Sequence, residues 1–312
     1  MNLPTIDFLG IGAQRAATTW LDVQLRNHPD VWMPPHKELH YFDRDPRYNS
    51  PSHLASENWM EGLIGNQAQD ISWRRELRVN GARVFRRNEG PVLPVWQRLR
   101  WIASYYFGAP KDDNWYRSLF RHGEGKIKGE ITPAYSLLHP KDIEHINQLL
   151  PEVKVIYLLR NPVERSLSQF LLKHGSPDNI PDEKIISFLQ SPVVQERNNY
   201  LQTITRWTKV LGSERLFIGW YEEVKNQPEE LLHRLSGFLG LSRDLTPAIS
   251  VSEAKNQSSG GLFSSRVIRA LAKTQIENTA RIAEHFGGNA INWHEECIKL
   301  FNASESYVCP CK

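Results

Sequence analysis

The run Val153-Lys154-Val155-Ile156-Tyr157-Leu158-Leu159, followed at once by Arg160-Asn161-Pro162, constrains this chain more than any other feature. A nearly continuous apolar run has no polar face, so it predicts a strand covered on both sides, as at the centre of a parallel sheet. Pro162 lacks an amide hydrogen and has a preset φ, which suits the first turn of a helix. Further strand-like runs fall at Thr5–Ile11, Ile127–Ile131 and Arg215–Trp220. Helical spacing lies between them, at Thr18–Leu25, Pro140–Leu150, 193–211 and Glu229–Leu239, the last ended by Gly240. One or two more helices are predicted across 262–286. Strands alternating with helices predict an α/β fold, a single domain over 1–312 with a central parallel sheet flanked by helices. Residues from about 44 to 125 interleave basic and aromatic side chains without a clear period and are expected to form a helical insertion.

Hydrophobic residues make up 40% of the 312 positions and charged residues 23%, a balance that excludes global disorder. No stretch approaches the roughly 18 consecutive apolar residues of a transmembrane helix. Met1–Asp7 lacks a basic region followed by an apolar core, so no secretory leader is expected. The three cysteines, Cys297, Cys309 and Cys311, are odd in number and late in the chain, predicting no disulfide framework and, with it, a cytoplasmic setting. Cys309-Pro310-Cys311 reads as a frayed tail. The net charge of +3 hides an asymmetry, since residues 71–100 carry eight arginines against two glutamates. That basic stretch, with Trp73, Trp96 and Trp101, fits an anionic ligand or acceptor cleft, or an ordinary insertion packed by its tryptophans.

Three segments can carry chemistry. Gly12-Ala13-Gln14-Arg15-Ala16-Ala17-Thr18-Thr19 nearly fits the phosphate-loop pattern G-x-x-x-x-G-K-[ST], with Ala17 in place of the second glycine and Thr18 in place of the lysine. A nucleoside-triphosphate kinase needs that lysine. Loop amides, two hydroxyls and one guanidinium can still cradle a phosphate-like group, although a plain capped turn accounts for the same residues. Positive φ at Ala17 is expected to be costly without glycine. Arg160 to Ser168 follows the best strand, where open α/β sheets bind ligands. There Arg160 and Ser168 can grip one phosphate, or Arg160 and Glu164 can form a structural ion pair. Finally, Pro34 to Phe42 holds His36, Glu38 and His40, which share one face in an extended chain, and any of them can serve as a general base. A short strand with surface polar residues is the plainer alternative. No metal-ligand cluster has convincing spacing.

Taken together, these segments resemble a family. Ile11–Leu21, then His28-Pro29-Asp30-Val31 and Lys37–Phe42, are similar to the start of a sulfotransferase that uses 3′-phosphoadenosine 5′-phosphosulfate (PAPS). Gly129–Tyr135, Arg160–Ser168 and Trp220-Tyr221-Glu222-Glu223, with Pro228 and Phe238-Leu239-Gly240-Leu241, match later segments of that family in order. The resemblance spans residue 5 to about 260 and is nearest the bacterial and heparan-type branch, which acts on carbohydrate acceptors.

The resemblance implies a P-loop-like nucleotide-binding architecture and transfer of a sulfuryl group from PAPS to a hydroxyl or amine, with PAP as product. Arg15, Ala16, Ala17, Thr18 and Thr19 would hold the 5′-phosphosulfate, Arg160 and Ser168 the 3′-phosphate, and Glu38 would be the general base. Arg15 stands where the family usually has lysine, and unlike lysine it cannot give up a proton. No metal, no nucleic acid and no transmembrane segment are implied. A non-catalytic polyanion- or nucleotide-binding protein and a P-loop kinase are the competing readings.

Overall fold

The structure is a computed structural model that describes residues 3–48, 93–108, 110–250, 253 and 260–309. Most of the arginine-rich stretch, with Trp73, lies outside the described residues, as does Cys311.

Phe8–Gly12 forms the first strand, β1, every residue of it buried. It starts later than the apolar pattern predicts. Val31–Trp32 forms β2, Ile127–Ile131 β3, Lys154–Leu159 β4 and Leu216–Trp220 β5. The five strands lie in the order β2-β3-β1-β4-β5, and every pairing is parallel. β4 is buried from Val155 onward, as a strand without a polar face must be.

Helices cover the sheet. Thr18–Asn27 follows β1 and Pro162–His174 follows β4, with Pro162 opening the latter as expected. The pattern at 193–211 resolves into two helices, Pro192–Glu196 and Tyr200–Leu211, separated by a break. Ser265–Phe286 and Asn289–Phe301 pack together as a helical pair. A second apolar cluster joins them to the Pro162–His174 and Asp182–Leu189 helices. Among the described residues no helix is long and apolar enough to cross a membrane.

One expectation needs correcting. The tail is not frayed as far as Cys309. Tyr307–Val308 pairs antiparallel with Leu262–Phe263, and the Cys309 amide donates to the Gly261 carbonyl at 3.1 Å. Cys309 is buried and disulfide-bonded, whereas Cys297 is a free thiol. The described part of the insertion is helical as expected, with helices Val95–Phe107 and Asp113–Ser118. Trp101 fits the alternative of an insertion packed by its tryptophans. It is 3% exposed and its indole N–H donates to the Leu119 carbonyl, while Trp96 stands out at 62% exposed.

Candidate active site

β1 and β4 are neighbours, so the loops after them meet at the carboxyl edge of the sheet, the edge where parallel sheets bind ligands. The loop after β1 is drawn onto β4 by the Ala13 amide, which donates to the Leu158 carbonyl at 2.6 Å. Gly12 has φ +137°, and a Cβ there would meet the Pro133 carbonyl at 3.2 Å, so the residue must be glycine. Arg15 and Ala17 both take left-handed φ, 72° and 60°, the cost foreseen when alanine replaces glycine. Non-glycine residues in this region are strained, and such strain gathers at functional sites. Ala17 is the N-cap of the Thr18–Asn27 helix and has no side chain to accept from its first-turn amides. A helix end of this kind suits an anion.

The side chains sort into two groups. The first includes Arg15. Its Nε donates to Ser168 Oγ at 2.9 Å, across to the helix after β4. Arg160 closes the same group, with Nη1 donating to the Arg15 carbonyl at 3.1 Å and its guanidinium 4.2 Å from the Tyr221 ring. Arg160 is 4% exposed and donates through Nε and Nη2 to one oxygen of Glu164, at 3.1 and 2.9 Å. The Arg160–Glu164 ion pair envisaged as the alternative to a phosphate grip is thus present. Burial, then the neighbouring charge of Arg160, lowers the Arg15 pKa to about 10 against the opposing effect of Tyr221. Ser168 is fully buried. By contrast, Arg165 belongs to the core, donating to Gln169 and to the Val194 carbonyl at 2.7 and 3.1 Å.

The second group centres on Lys37, which sequence reasoning passed over. Its Nζ lies 3.5 Å from Thr18 Oγ1, 3.4 Å from Thr19 Oγ1 and 3.1 Å from Glu38 Oε1. The cation missing beside Thr18 in the loop pattern is thus supplied from another segment. His40 Nε2 lies 3.7 Å from the other Glu38 oxygen, and its Nδ1 donates to Asp43 at 2.8 Å. Burial works against the Glu38 carboxylate, but the Lys37 charge and the His40 contact outweigh it and hold the carboxyl well below the usual range. Burial likewise opposes charge on His40, yet Asp43 and then Glu38 raise its pKa to about 10. Arg197, after the Pro192–Glu196 helix, also senses the Glu38 charge.

This segment is not the extended strand envisaged from its alternating residues. Glu38 and His40 have φ of 65° and 54°. The bends are held from outside by residues far away in sequence. The Leu39 amide donates to Glu130 Oε2 at 3.2 Å, and the Leu39 carbonyl accepts from the Tyr105 hydroxyl at 3.2 Å. The Tyr41 amide donates to the Tyr135 hydroxyl at 2.9 Å. Glu130 is 2% exposed and accepts further bonds from Thr132 at 2.6 Å, Tyr116 at 2.8 Å and Tyr135 at 3.0 Å. Burial pushes its pKa up against these bonds. The period-2 spacing of 36, 38 and 40 thus gave the wrong backbone, because it takes no account of partners on other elements.

Among the described residues no group of three or more histidine, cysteine or acidic side chains is placed to hold a metal. What the site offers is an uncapped helix start with an ammonium and a carboxylate beside it, and, across β1 and β4, the Arg15 and Arg160 guanidiniums with Ser168.

Comparison with known proteins follows this geometry. A sequence model described as "Sulfotransferase family" matches residues 8–245. Human heparan sulfate glucosamine 3-O-sulfotransferase 6 is 27% identical over 140 residues, covering 42% of this chain and 41% of that protein. The membrane-associated sulfotransferase kil1 of Dictyostelium discoideum is 25% identical over 246 residues, covering 77% of this chain and 36% of its own length. The matches thus span about two fifths of these relatives or less. In three dimensions a sulfotransferase from Alicyclobacillus acidocaldarius superposes with a TM-score of 0.55 at 16% identity, covering 93% of this chain and 99% of that one. The shared architecture is the P-loop-like α/β fold.

Proposed function

The chain belongs to the sulfotransferase family, and from that premise we propose that it moves a sulfuryl group from PAPS to a hydroxyl or amine of a carbohydrate or glycoconjugate. One observation carries this reading. Lys37 Nζ reaches Thr18, Thr19 and Glu38 at once, so a cation, two hydroxyls and a carboxylate converge at the uncapped start of a helix. The reaction needs a negative group held at one point and a base facing it.

In this reading the loop amides from Ala16 onward, with Thr18 and Thr19, take the 5′-phosphosulfate. Arg160 and Ser168 take the 3′-phosphate. An acceptor oxygen attacks sulfur as the bond from sulfur to the 5′-phosphate oxygen breaks, and PAP departs with the electron pair of that bond. Glu38, ionised throughout the neutral range, receives the acceptor proton. Lys37 lies where negative charge grows on the leaving phosphate, and a fixed cation there lowers the barrier. Most of the remaining catalysis is positioning. Names among the relatives direct the choice of acceptor towards sugars.

The test is incubation with PAPS and a panel of glycans and small alcohols, read by mass spectrometry. A gain of one SO₃ unit that needs Glu38 is expected. A thermal shift with ATP and Mg²⁺ but none with PAP would favour the kinase reading instead.

A further inference from the structure

We propose that the outer face of the Val95–Phe107 helix docks the protein on an anionic membrane surface. This assignment is independent of the reading of PAPS as the sulfuryl donor.

A surface helix ordinarily turns one apolar stripe inward and a polar face to water. The inward stripe is present here, with Trp101, Ile102 and Tyr105 buried. The Tyr105 hydroxyl donates to the Leu39 carbonyl at 3.2 Å and its ring stands 5.1 Å from that of His36, so the helix backs onto the segment that carries Glu38. The outward face is not polar. Val95 and Leu99, 65% and 52% exposed, are one turn apart, and Ala103 continues the row in solvent. Trp96 stands in the open beside them. Scattered exposed apolar residues are ordinary, but a contiguous row of them marks an interaction surface.

Charge decides what covers the row. The helix contains no acidic residue, and Arg100, one turn after Trp96, is exposed. The sequence leading into it is basic as well, with eight arginines against two glutamates over 71–100. A second copy of the chain would set Arg100 and its neighbours against their own counterparts, and like charges brought face to face disfavour such a contact. An anionic lipid surface complements both features. The apolar row with its tryptophan enters the headgroup region, and the guanidinium stays at the level of the lipid phosphates. Such a surface also needs no groove shaped to the helix.

The test is co-sedimentation of the full chain with vesicles of equal parts phosphatidylserine and phosphatidylcholine, against vesicles of phosphatidylcholine alone. Wild-type protein should bind the mixed vesicles and not the neutral ones, and added salt should release it. Trp96→Ser should weaken binding by about 10-fold or more, the scale of withdrawing one large side chain from an apolar contact. Arg100→Gln should weaken it by about fivefold, the scale of one cation at a charged surface. Ile291→Ser, at an exposed apolar position on the Asn289–Phe301 helix, should bind as the wild type does. All three variants should keep the wild-type unfolding temperature, since each altered side chain is exposed. Absence of binding to the mixed vesicles would overturn the proposal and leave the face to a protein partner. Equal binding by wild type and Trp96→Ser would overturn it too, as would a wild-type dimer that Trp96→Ser dissociates.

Discussion

The two ends of the site are built in different ways. The guanidinium end stands on regular structure: β1 and β4 bring their loops together, and the Pro162–His174 helix carries Ser168 and Glu164. The carboxylate end stands on residues 33–43, which belong to no helix or strand and bend through left-handed positions at Glu38 and His40. What holds those bends is a buried network, Glu130 with Tyr116, Tyr135 and Thr132, acting on the Leu39 and Tyr41 amides. In the proposed reaction, affinity for the nucleotide and orientation of the base would fall to different parts of the molecule, and substitutions should separate them.

The largest separation is expected from Glu38→Gln. Turnover should fall by about 10²-fold or more, the scale of losing a general base, while calorimetric PAP affinity stays at the wild-type level. Turnover that survives would transfer the role to His36 or His40. Glu130→Gln puts a donor where four hydrogen bonds are accepted. Urea unfolding should show a loss of about 1–3 kcal/mol, the cost of leaving a buried polar group unsatisfied. Turnover should fall with PAP affinity unchanged, and a matching fall in PAP affinity would show that the two ends are not independent.

The pH dependence follows from His40. Its pKa is raised to about 10 from a usual 6.5, so its protonated state is favoured by folding. The stability this contributes is fully present below about 6.5 and is lost as the pH climbs through about 10. Turnover should therefore be level from neutral pH upward and decline near pH 10, and His40→Gln should reduce that decline, the Arg15 pKa of about 10 leaving a residue of it. The smallest effect belongs to the other end. Ser168→Ala should weaken PAP by about 2- to 10-fold, the worth of one neutral hydrogen bond, without altering the turnover of saturated enzyme.

The same contrast explains what could be read from the sequence. β4, the proline-started helix after it and the alternation of strands with helices follow from local pattern, and all are present in the fold. The Arg160–Ser168 group was legible because strand, turn and helix are contiguous. Lys37 was not, because its role depends on the placing of residues 33–43 against the loop after β1. Glu130 was hidden for a related reason: a glutamate between glycine and isoleucine looks like an outward-facing strand residue until the tyrosines around it are known. Arg15 was visible as a cation, but its bond to Ser168, 153 positions away, was not.

The most direct test of the account is a crystal structure with PAP. The account predicts the 5′-phosphate at the start of the Thr18–Asn27 helix, within reach of Lys37, and the 3′-phosphate at Arg160 and Ser168, with Glu38 facing the position vacated by the sulfuryl group. A nucleotide bound away from the carboxyl edge of β1 and β4, or a Glu38 carboxylate turned from that position, would contradict it.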